Sequence, residues 1–132
     1  MRVFCDSGVV VRYFVGDDPA RSLAAARLID GEDTVVVSTA VLLEAIHVLR
    51  REFQVANPEL GAGLIRFLSR ADVELLDADQ GATIAGIGWS LRHSARRIPD
   101  AIIAAAAEYA RCDIIATFDE SFRSPSVPVR MI

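Results

Sequence analysis

Short, unbroken apolar runs alternate along this chain with longer stretches of helical character, and that alternation limits the fold more than any other feature. The runs fall at Arg2–Cys5, Thr34–Val37, Val73–Leu76, Ile114–Ala116 and Val127–Ile132. They lack the polar alternation of a half-exposed strand, so each reads as a strand covered on both faces. Between them lie helices with local start signals. Asp17-Asp18-Pro19 offers a carboxylate cap and an early proline, Ser38 a hydroxyl cap, Asn57-Pro58 a turn into a helix, and Asp79 another carboxylate cap. Helices are expected over Ser7–Val15, from Pro19 to a C′ glycine at Gly31, over Thr39–Phe53, from Asn57 through Leu68, from Asp79 to about His93, and from Pro99 to Arg111. Strands alternating with such helices specify an α/β fold, a three-layer α/β/α sandwich around a parallel sheet of four to five strands. At 132 residues the expectation is one domain spanning 1–132.

Charge and cysteine content narrow the chemistry. The 14 basic residues, all arginine, face 18 acids for a net charge of −4. At face value this argues against nucleic-acid binding. The absence of lysine removes Schiff-base chemistry, a Walker lysine and the lysine that accompanies an aspartyl phosphate. A carboxylate at Asp6 precedes any signal-peptide core, and the longest apolar run, Ala101–Ala107, is far below the ~20 residues of a membrane span. Cys5 and Cys112 sit in apolar surroundings at no metal-binding spacing, as buried thiols of a cytoplasmic protein would.

The acids are placed unevenly. In an open parallel sheet, working sites form beyond the carboxyl ends of the strands. Asp6 follows the first strand and Asp119 the fourth, while Asp100 opens the helix leading to the fourth and Glu44 lies on the helix after the second. Ser7, Ser38 and Thr117 bring hydroxyls to the same end. Each acid also has a plainer role. Asp6 and Asp100 suit helix caps, Asp119 a turn, and Glu44 a solvated face opposite a core stripe of Leu42, Ile46, Leu49 and Phe53. Ala104 and Ala107 leave a small-sided surface by Asp100. Collectively, four neighbouring carboxylates repel one another unless a cation neutralises them. Oxygen-only ligands suit Mg²⁺ or Mn²⁺, which can orient and deprotonate a water and stabilise the leaving oxygen of a phosphodiester.

Phe4-Cys5-Asp6-Ser7, Glu44, the run Pro99-Asp100-Ala101-Ile102-Ile103-Ala104-Ala105, and Ala116-Thr117-Phe118-Asp119-Glu120-Ser121-Phe122 together resemble the PIN-domain ribonucleases. The chain is similar, over essentially its whole length, to VapC-type toxins of bacterial toxin–antitoxin pairs. The resemblance implies a Mg²⁺- or Mn²⁺-dependent endoribonuclease with Asp6, Glu44, Asp100 and Asp119 holding the metal, supported by Ser7 and Thr117. It also implies a homodimer and a cognate antitoxin partner. The departure is Gly8, where the family usually has asparagine. Arg12, Arg51, Arg92, Arg96 and Arg97 are candidates for RNA backbone contacts, because a guanidinium fork matches phosphate oxygens.

Two rivals stand beside this reading. A phosphoaspartyl protein also carries aspartates at strand ends but ordinarily needs a lysine that this chain lacks. A non-catalytic PIN module would bind RNA or a protein without cleavage.

Overall fold

The computed structural model describes residues 1–76 and 79–132. The elements follow in the order β1 (Arg2–Cys5), α1 (Ser7–Phe14), α2 (Pro19–Ile29), β2 (Thr34–Ser38), α3 (Thr39–Arg51), α4 (Asn57–Leu68), β3 (Val73–Leu76), α5 (Gln80–Leu91), α6 (Ile98–Tyr109), β4 (Ile114–Thr117) and β5 (Val129–Met131). The five strands form one sheet in the order β3-β2-β1-β4-β5, with every neighbouring pair parallel.

The topology follows from the handedness of parallel crossovers. Two connections, through α1–α2 and α3–α4, move the chain from β1 to β2 and on to β3. The α5–α6 connection then returns across the sheet to β4, on the opposite face. α1 packs on α2 and α3, and α5 packs on α6, giving the expected three layers. Strand progression reverses between β1 and β4, which makes the gap beyond their carboxyl ends the switch point of the sheet.

Apolar burial explains why the central strands are continuous runs. Val3, Phe4, Cys5, Val35, Val36, Val37, Ile115 and Ala116 have no solvent exposure. α5 and α6 meet closely because Gly86 has no side chain; a Cβ there would lie 2.9 Å from the Ala101 carbonyl oxygen. Ala104 and Ala107 are fully buried in this core. They are packing residues, and the small-sided surface expected beside Asp100 does not form from them.

The expected caps work locally. Asp18 Oδ1 accepts from Arg21 N–H, Ser38 Oγ from Val41 N–H and Asp79 Oδ2 from Ala82 N–H. Gly31 takes the expected C′ position, directly after the α2 cap Asp30, but without the left-handed turn usual there, since no glycine among the described residues adopts a positive φ. Gly31 is needed for space instead, since a Cβ there would lie 2.8 Å from the Arg27 carbonyl oxygen. Cys5 and Cys112 are free and buried, and burial pushes their thiols up to about 12 and about 11. No helix among the described residues is long and apolar enough to cross a membrane.

Candidate active site

The first carboxylate is fixed by two neighbours from different parts of the chain. Asp6 follows β1 directly, and its N–H extends the β1–β4 pairing by donating to Ala116 O at 3.1 Å. Its side chain caps α1: Oδ1 accepts from Ser7 N–H at 2.8 Å. Oδ2 accepts from the Thr117 hydroxyl at 2.8 Å. That hydroxyl in turn accepts from Asp119 N–H at 3.1 Å, so the ends of β1 and β4 are tied through one threonine. Asp119 Oδ1 is held by the Ser121 N–H and hydroxyl, at 2.9 and 2.6 Å.

The other two acids come from helices. Asp100 lies in the first turn of α6, where Arg97 rather than the aspartate occupies the cap position. It therefore does not serve as the helix cap that its position after proline suggests. Glu44 sits on α3, whose buried face is Val41, Leu42, Ala45 and Leu49. That face leaves Glu44 exposed, as periodicity predicts, yet α3 docks so that this exposed position overlooks the site. Asp6, Glu44, Asp100 and Asp119 thus line one cleft of about 370 Å³ with Ser7, Gly8 and Thr117. Ser38 is not part of its lining; its hydroxyl caps α3.

Charge in the cleft is only partly balanced. Arg97 donates from Nε to Asp100 Oδ2 at 2.9 Å and pairs through its other end with both Asp100 and Asp119. Hydrogen bonds from Ser121, then Arg97, hold the Asp119 carboxyl down at about 2. Asp6 moves the other way. Burial raises its pKa despite the Thr117 and Ser7 bonds, and the nearby charges of Glu44 and Asp100 push it further up. Burial likewise raises Asp100 more than Arg97 lowers it. A buried carboxylate facing other carboxylates is stabilised in its charged form by an added cation.

These residues fit a hard divalent cation by chemistry. All four are oxygen donors, and neither histidine lines the cleft. Among the described residues, however, no three such groups converge tightly enough to form a finished metal site. Two of the acids are instead drawn to the Arg97 guanidinium.

The remaining arginine candidates lie elsewhere. Arg12 pairs with Asp17 and stands over the Phe53 ring. Arg51 lines a shallow hollow on α3 with Leu43, His47 and Arg50. Arg92 is exposed after α5, and Arg96 stacks on Trp89 at 4.2 Å while donating to its carbonyl. Of the five, only Arg97 lines the cleft. A residue that sequence reasoning missed also does: Arg21, on the first turn of α2, reaches it beside Phe118. Nothing local marks Arg21, because its neighbour is 97 positions away in the chain.

The same architecture recurs in solved structures. The chain superposes on the Mycobacterium tuberculosis VapC20 structure, a sarcin–ricin loop cleaving toxin, with a TM-score of 0.74 at 20% identity, covering 91% of this chain and 92% of that one. VapBC from Salmonella typhimurium, solved bound to DNA, gives 0.70 at 20% identity over 99% and 98%. VapBC2 from Rickettsia felis, bound to a promoter DNA fragment, gives 0.69 at 20% identity over 99% and 98%. No curated protein matches the sequence. The PIN domain family, in contrast, matches residues 3–127, nearly the entire chain with all four cleft acids inside it. The chain belongs to the PIN domain family.

Proposed function

We propose that this protein is a Mg²⁺- or Mn²⁺-dependent endoribonuclease, the toxin of a bacterial toxin–antitoxin pair, acting as a single cytoplasmic domain over residues 1–132. The observation that carries this reading is the cleft itself: four carboxylates from four separate segments gather at the switch point of the sheet. The fold of a sarcin–ricin loop cleaving toxin supports RNA as substrate, and the VapBC complexes support a cognate antitoxin as partner. A homodimer completes the proposed assembly.

Asp6, Glu44, Asp100 and Asp119 would hold the metal. When bound, the cation supplies Lewis acidity toward water and the scissile phosphodiester, and offsets the charge of the four acids. The chain's own residues do the positioning. Thr117 and Ser7 fix both oxygens of Asp6, which leaves the carboxylate a single orientation toward the cleft. Ser121 holds one oxygen of Asp119, Oδ1, through its N–H and its hydroxyl, and with Arg97 it lowers that carboxyl to about 2. Arg97 holds Asp100 and Asp119 together, and its guanidinium would compete with a cation for the same carboxylate oxygens.

Purified protein is expected to cut structured RNA with Mg²⁺ or Mn²⁺ and to stop in EDTA. Asp6→Asn and Asp100→Asn are each expected to lower cutting by about 10²-fold or more, with circular dichroism and unfolding midpoint preserved. Full activity in these variants would remove the site assignment.

A further inference from the structure

The cleft contains a second cation whose surroundings differ from those of Arg97. Arg21 extends from the first turn of α2, with its guanidinium 5.5 Å from the centroid of the Phe118 ring. Phe118 sits between Thr117 and Asp119, so that ring is carried by the same segment that supplies two cleft residues. The acid beside Arg21 is Asp18, with Oδ2 at 3.6 Å from Nε, beyond hydrogen-bond length. The Arg21 side chain is 50% exposed and lines the cleft, so it is open to an incoming strand. Arg97, by comparison, directs its donors at Asp100 and Asp119.

An RNA strand approaching four carboxylates needs a positive group at the entrance, because its phosphates and the acids repel each other. A guanidinium lying over an aromatic ring is held in one plane at little entropic cost, and its free edge can bind two phosphate oxygens. We propose that Arg21, held in place by Phe118, is a backbone-phosphate subsite of the cleft that seats the strand next to the bond being cut. This inference rests on the ribonuclease reading and adds a named contact to it. Arg21 is a positioning residue, acting on a phosphate beside the reacting one.

The test measures binding apart from cutting. In Asp6→Asn protein with Mg²⁺, affinity for a labelled RNA hairpin is followed by fluorescence anisotropy across a salt series. Adding Arg21→Ala is expected to raise Kd about tenfold, the loss of one charge-assisted contact. It should also lower the slope of log Kd against log salt by about 0.7 to 0.9, one phosphate's share. Arg21→Lys should keep the slope but recover only part of the affinity, since an ammonium lacks the fork. Phe118→Leu should weaken binding with the slope unchanged. The control is Arg27→Ala, an exposed arginine on the same helix. An equal loss in Arg27→Ala, or wild-type Kd and slope in Arg21→Ala, would overturn the subsite. If the unsubstituted protein cuts RNA while Arg21→Ala cuts equally well at limiting RNA, only this inference fails. If the unsubstituted protein neither binds nor cuts RNA, the ribonuclease reading fails and the subsite falls with it.

Discussion

The two ends of the parallel sheet use the same residue types to opposite effect. Toward the amino ends, acids and cations are matched. The Met1 ammonium meets Asp33 at 2.8 Å, and Arg2 holds both oxygens of Glu74 at 2.7 Å. Arg70 bridges Asp30, Asp72, the Tyr13 hydroxyl and the Ile29 carbonyl. Pairing with Arg70 pulls both Asp30 and Asp72 below the usual carboxylate range. At the carboxyl ends one guanidinium is shared by two of four acids, and burial drives Asp6 and Asp100 upward. One end is an electrostatic fastening of the fold. The other keeps excess negative charge in a cleft, a cost that folding alone gives no reason to retain.

Removing a partner should therefore have different consequences at each end. Arg70→Ala is expected to lower stability by about 1–2 kcal/mol, the central value for charged hydrogen bonds discounted for partial exposure, and to leave RNA cutting intact. The pH dependence sharpens this. Asp30 has a folded pKa below its unfolded value, so its contribution is present above the unfolded pKa and is lost as pH falls through the folded one. Acid titration of Arg70→Ala, followed by chemical unfolding, should show a flatter loss of stability below about pH 4 than the parent. Equal slopes would mean that the amino end is no better matched than the cleft.

A smaller effect is expected at the other end. Mg²⁺ at ten times its Kd should raise the stability of the parent by ~1.4 kcal/mol through linkage. Glu44→Gln should reduce that rise while leaving metal-free stability the same or higher, because it removes a charge that opposes Asp6 and Asp100. No rise in the parent's unfolding midpoint would break the comparison, since the cleft would then carry no unmet charge. The smallest effect concerns Gly8, which lies in the cleft wall near the start of α1. A Cβ there meets nothing within 4 Å. Gly8→Ala should stabilise the chain by about 0.5 kcal/mol, read from thermal unfolding, with little change in cutting.

How much of this can be read from sequence depends on how local each signal is. Caps at Asp18, Ser38 and Asp79 are legible because the acceptor and its N–H lie three residues apart. The central strands β1, β2 and β4 are legible because both faces are buried. The edge strands β3 and β5, expected to be covered as well, are partly and wholly exposed, respectively. Strand order is not legible, since it depends on where crossovers dock. Asp6 and Asp119 can be placed from strand ends alone. Glu44 cannot: the expected stripe packs inward, with Leu42 and Leu49 buried and Ile46 and Phe53 partly so beside Val41 and Ala45, and only the docking of α3 turns the exposed acid toward the cleft. The arginines are least legible, because Arg97 meets Asp119 22 residues away and Arg21 meets Phe118 across most of the chain.

Asp6 joins folding to the proposed chemistry in one side chain, since the carboxylate that faces the cleft also receives the first amide of α1. Those two duties can be separated by choice of replacement. Asparagine retains Oδ1 for the Ser7 amide and places an NH2 donor against the Thr117 hydroxyl oxygen while losing the charge, whereas alanine discards the acceptor at the helix start together with the proposed ligand. A catalytically silent copy suited to trapping an antitoxin or an uncut RNA should therefore carry asparagine at this position. Any replacement here must satisfy the first amide of α1 before it can alter what the cleft binds.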